Sequence, residues 1–144
     1  MTIKKTSKQA VFAMTVQGLL QVASDHYKKG YDLEQKRKGG CASEVLICAH
    51  VQHAMLKETL EYCAQNQDLI NSIKIALIIT HLLQAENYIK DLINCYKGDN
   101  DKSPINPLSE ASSEVMAVWM ACNSIYSDAP ETDEKNAVQE TTND

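Results

Sequence analysis

The sequence predicts an all-α protein: a four-helix bundle with a long central third helix and a disordered acidic C-terminal tail. Three observations lead there. Aromatic residues are only 6 % of the 144, with one Phe, one Trp and three Pro, against many Ala, Leu, Ile, Lys and Gln; that balance favours helix over sandwich or barrel. Apolar residues recur at helical spacing in four segments. The breaks between them carry Gly, Asn, Asp or Pro, and most are short enough to fold consecutive helices back on one another. A chain of this length buries a core without disulfides or metals. The expected organisation is one helical domain over 1–126 and a tail over 127–144.

The first helix opens at Thr6-Ser-Lys-Gln9, which reads as a capping box with Thr6 as N-cap and Gln9 reaching back. Stepping about 100° per residue, Phe12, Val16, Leu19, Leu20, Ala23 and Tyr27 share one face. Gln17, Gln21, Asp25 and Lys28 take the other. The helix either bends at Gly30 or runs on to about Lys38, and Gly39-Gly40 ends it.

Ser43 with Glu44 starts the second helix, which runs to Gln65 with Val45, Cys48, Ala49, Met55, Leu56, Leu60 and Cys63 in one stripe. Asn66-Gln-Asp68 marks a turn. The third helix is expected over 68–97, with Lys97-Gly98 as its C-terminal signal. Its apolar stripe changes sides. Leu69, Ile70, Ile73, Ala76 and Leu77 share one face in the first half. Ile78, Leu82, Ala85, Ile89, Ile93 and Tyr96 share a nearly opposite one in the second.

Gly98 to Leu108 reads as an irregular loop, and Ser109-Glu-Ala-Ser as the start of the fourth helix. There Val115, Val118, Trp119, Cys122, Ile125 and Tyr126 form the stripe. After Ser127 the chain is acidic and loses apolar periodicity, the composition of a disordered segment.

Charge is segregated. Residues 1–38 hold eight Lys/Arg against three acids, 39–126 five against ten, and 127–144 one against six, which sums to the net −5. Only Arg37 is available for bidentate phosphate or base recognition, which argues against nucleic acid. The longest uncharged apolar run, 75–83 apart from its flanks, is about half a bilayer span, and the opening residues do not read as a signal peptide. Five cysteines without a CxxC pair suit reduced thiols in a cytoplasmic compartment.

Chemistry has few candidates. His50 and His53 lie three apart on the second helix, near Cys48 and Cys63, but the cysteines fall on its apolar stripe and the histidines do not. A tetrahedral Cys/His site needs convergence, which this pattern lacks. The Glu-x-x-His motif of di-iron bundles is also missing, since Ile47, His50 and Ile78 occupy the glutamate positions before His50, His53 and His81. His26 lies within the first apolar stripe and His81 at the edge of the third helix's apolar stretch. His26, His50, His53 and His81 are therefore the residues a metal- or ligand-binding bundle would use. The chain has no G-x-S-x-G and no glycine-rich phosphate loop after a strand. Of the thiols, Cys41 beside Gly39-Gly40 is the one placed for exposure.

The sequence thus points away from catalysis and calls for no cofactor. It favours a protein–protein interaction module, an adaptor, inhibitor, immunity protein or chaperone-like bundle, binding another protein or a second copy of itself. The switched stripe of the third helix puts the expected interface on Ile78, Leu82, Ile89 and Ile93.

Overall fold

The structure, a computed structural model, describes residues 4–36, 42–97 and 105–133. They form α1 (Lys8–Lys36), α2 (Ala42–Gln65), α3 (Ser72–Lys97) and α4 (Ile105–Asp128), with a single 3-10 turn at Gln67–Leu69. Each helix packs on its neighbours in ring order, α1 on α2, α2 on α3, α3 on α4 and α4 on α1. Pairs of contacts set every neighbour antiparallel. Phe12 stacks on Tyr62 near one end, while Gly30 lies against Cys48 and Gln52 near the other. On the opposite side Lys74 pairs with Asp128 and His81 with Glu114. This is an all-α four-helix bundle, as helices joined by short connections require. Among the described residues, no helix is long and apolar enough to cross a membrane.

One core runs through all four helices. Phe12, Val16 and Leu20 come from α1, Leu56 from α2, Ile78, Leu82 and Ile89 from α3, and Val118 from α4. Two polar residues lie in the α2 stripe, Gln52 and Thr59, and both are buried. Each returns its hydrogen bond to its own helix: Gln52 Nε2 donates to the Cys48 carbonyl (3.3 Å) and Thr59 Oγ1 to the Met55 carbonyl (2.6 Å). That local solution satisfies a buried donor without a cross-helix partner.

Several boundaries differ from the sequence expectation. The cap of α1 is Ser7, not Thr6. Its Oγ accepts the Ala10 amide at 3.3 Å, and Gln9 does not reach back; its buried Oε1 has no partner among the described residues. α1 passes straight through Gly30, which is buried against α2. A Cβ there would sit 3.5 Å from the Cys48 Cβ, an ordinary contact, so the position has room for alanine, and the glycine makes no bend.

The third helix does not begin at 68. The chain breaks at Ile70-Asn71, and Asn71 Oδ1 accepts the amides of Ile73 (2.9 Å) and Lys74 (3.4 Å), capping a fresh start. α4 begins at Ile105, four residues ahead of the expected Ser109. Pro107 then lies in its first turn, where the missing N–H had no helical partner to lose. Gly39-Gly40 and Cys41 lie outside the described residues.

The segment expected to be disordered from 127 is in part ordered. Helix α4 runs to Asp128, and residues 129–133 lie along the start of α1, with Ala129 buried. The Glu131 carbonyl accepts the amides of Thr6 (2.7 Å) and Ser7 (3.2 Å), and Asp133 Oδ2 accepts the Lys8 amide at 3.0 Å. In return Lys5 Nζ donates to the carbonyls of Tyr126, Ser127 and Ala129, each at 2.9 Å, and lies 5.3 Å from the Tyr126 ring centre. A cation meets the C-terminal carbonyls of α4, and an acid the N-terminal amides of α1, both as the helix dipole favours. Residues 134–144, the rest of the expected tail, lie outside the described residues.

This clasp predicts that Lys5→Met, which keeps the aliphatic stem, lowers stability by about 1–2 kcal/mol. The drop should appear as a lower urea midpoint at unchanged slope. An unchanged midpoint would mean that the three carbonyls are as well served by water.

Candidate functional site

The four histidines are dispersed. On α1, His26 Nδ1 donates to the Val22 carbonyl one turn earlier at 2.9 Å, a local bond within its own helix. His50 is exposed on α2. Between α2 and α3, His53 Nε2 lies 3.5 Å from Glu86 Oε1, not aligned as a hydrogen bond. Lys90 Nζ holds the same oxygen at 3.0 Å. Between α3 and α4, His81 Nδ1 contacts Glu114 Oε2 at 2.5 Å, and the Gln84 amide nitrogen, turned toward that carboxylate, reaches its two oxygens at 2.9 and 3.0 Å.

Each interhelical histidine therefore meets one carboxylate, on a different edge of the bundle. Among the described residues no three His, Cys, Asp or Glu side chains converge as a metal site. His26 and His81 are not brought together, and each carboxylate already has a second partner, Lys90 or Gln84. These contacts fasten α2 to α3 and α3 to α4.

Three of the described thiols are placed for packing. Cys48, Cys63 and Cys122 are buried and free. Burial pushes the Cys63 thiol up to about 12, and burial, with Cys63 close by, pushes Cys122 up to about 12. Cys48 is raised too, chiefly by burial, with Lys29 pulling it back and Glu44 adding to the rise. A thiol so held is a poor nucleophile at neutral pH.

The expected interface is corrected. Ile78, Leu82 and Ile89 are fully buried and Ile93 nearly so, all within the bundle's own core. The reason lies in the switched stripe of α3. Its second-half face continues backward through Ile75, so that one side of the whole helix points at the other three. Of the first-half face, Ile70 and Leu69 pack on the core ahead of α3, while its part on α3 itself is left uncovered by the described residues. Ile73 is 71 % exposed and Leu77 53 %, one turn apart on the outer side of α3.

α4 repeats the arrangement beside it. Met116 is 57 % exposed and Met120 64 %, again one turn apart and opposite the stripe that carries Val118 and Cys122 to the core. The Lys74–Asp128 and His81–Glu114 contacts fix the register of the pair. Leu77, midway between Lys74 and His81, is thereby level with the stretch of α4 midway between Glu114 and Asp128, which holds Met120.

Charge distinguishes this side from the other. α1 exposes Lys8, Asp25, Lys28, Lys29 and Asp32, and α2 exposes Glu44, Lys57, Glu58 and Glu61. On α3, by contrast, every exposed residue from Ser72 to Asn87 is uncharged, and on α4 every one from Ser113 to Ser127. Lys90, Asp91, Glu110 and Asp128 mark the ends. The half-buried ionisable residues within this span, Lys74, His81, Glu86 and Glu114, are engaged in the contacts above. Sequence reasoning found the Ile73/Leu77 stripe but put the expected interface on the second-half stripe instead. It passed over Met116 and Met120, whose four-residue spacing away from the Val118/Cys122 stripe was the available signal.

In comparisons with known proteins, the chain matches no family model and shows no significant similarity to a curated protein or to a solved structure.

Proposed function

We propose that this chain is a non-enzymatic protein–protein interaction module that binds its partner through the outer face of α3 and α4. The observation that carries this reading is the exposure of Ile73 and Leu77 on α3 and of Met116 and Met120 on the adjacent α4, in stretches whose exposed residues are uncharged. Large apolar side chains gathered on one face of a soluble bundle mark a contact surface. Charge depletion at the centre with Met enriched is the composition of an interface core, and charged residues at the ends supply its rim. Methionine adapts its shape to what it meets. The buried, free thiols fit a reducing, cytoplasm-like setting for this role.

The test places a photo-crosslinking residue at Leu77, at Met120 or at Ile47, in the cells the protein comes from. Ile47, 62 % exposed on α2, controls for mere apolar exposure. Protein adducts are expected at Leu77 and Met120 and not at Ile47. Equal labelling at all three positions, or none at the first two, would overturn the reading.

A further inference from the structure

The chemistry of this face narrows its partner. The exposed residues of this face are apolar, hydroxyl or amide, and the partly exposed Lys74 and Glu114 between them are already paired within the chain, so it offers little for a phosphate, a basic segment or an acidic one. A complementary surface must likewise be apolar and uncharged at its centre. This chain carries such a surface. Building on the protein-binding reading above, we propose that the partner is a second copy of this chain, docked in a two-fold dimer with α3 and α4 of one copy against α3 and α4 of the other.

Symmetry explains the charge pattern. In an isologous interface, residues near the axis meet their own counterparts, so a charge there would meet its like. Like charges brought face to face cost several kcal/mol, and a self-binding surface must keep its centre neutral. That is the pattern on α3 and α4, where the exposed charges stand only at the ends. Two copies that each carry a net −5 repel as wholes. Their approach is least opposed across the face without charge, and more opposed across α2, where Glu58 and Glu61 are exposed.

Relief and size agree. Leu77 and Met120 stand out beside small residues, Ala76 on α3 and Ala117 and Ser124 on α4, which leave room for the side chains of a facing helix. Two helices side by side, uncharged over about 15 residues at 1.5 Å rise, give a face roughly 22 by 20 Å. Once the relief of its side chains is counted, that approaches the scale of the about 800 Å² per partner of a standard interface.

Sedimentation equilibrium on the full chain, over a wide concentration range, tests the proposal. The expected species is a dimer of twice the 16.0 kDa chain mass. Leu77→Glu and Met120→Glu should each weaken association by about 100-fold or more. Both sites are exposed, so far-ultraviolet circular dichroism should show the helix content unchanged. Ile47→Glu should leave the dimer intact. A wild-type chain that stays monomeric into the high micromolar range overturns the second copy as partner; crosslinks from Leu77 and Met120 to a different protein would then still support the broader reading. A dimer that survives both glutamate variants, with no crosslinks at those positions, overturns both.

Discussion

Leu82→Ala is expected to lower the unfolding free energy by about 2–5 kcal/mol, and Leu83→Ala by no more than about 0.5 kcal/mol. The two leucines are consecutive, have the same helix propensity and lie in the same uncharged stretch. Their surroundings separate them. Leu82 is fully buried among the other three helices, whereas Leu83 is 49 % exposed and stands about 120° round α3 from Leu77. Truncating Leu82 removes apolar burial and leaves a void that close-packed neighbours fill only in part. Truncating Leu83 leaves a shorter side chain in water. Urea titration of the two variants on the same day reads the difference. Equal losses would mean that the stripe from Ile78 to Ile93 does not face the core, and would return those residues to the role of an interface.

Phe12→Ala carries an expected loss of about 3–5 kcal/mol. Phe12 is the chain's one phenylalanine and has no exposed surface. It stacks on Tyr62 with centroids 5.6 Å apart and planes 18° from parallel, joining the first turns of α1 to the last turns of α2. The loss combines a large apolar transfer term, a cavity and the ring pair itself. A double-mutant cycle with Tyr62→Leu isolates the last term, with a coupling of about 0.5–1.5 kcal/mol expected. A coupling near zero would show that the rings are neighbours without specific attraction, and the total loss would then rest on volume alone.

Much of the bundle was legible in local patterns. The stripe of Phe12, Val16, Leu20 and Ala23 and the stripe of Val45, Cys48, Ala49 and Leu56 are buried as their spacing predicts. Gln65 ends α2 where the Asn66-Gln-Asp68 turn signal placed it. The helix starts were harder to read, because caps compete. Ser7 stands beside Thr6, and Asn71 was read as one polar residue in a continuous helix although its side chain caps a new one. Pro107 reads as a helix breaker unless its place in the first turn is known. Residues 129–133 have no periodicity to reveal them, since they are held by the far end of the sequence.

The candidate surface illustrates the division between sequence and tertiary structure. Local pattern alone shows that the chain is helical, where most apolar stripes run, and that α3 carries two of them on opposed faces. Periodicity supplies this much, because it records which residues share a side of a helix. The packing of the four helices sets which stripe of α3 is covered, brings Leu77 level with Met120, and gives each interhelical histidine a single carboxylate. A helical wheel gives angles about one axis. Which angle points inward depends on where the other three axes lie, and that is set by the packing of the whole core.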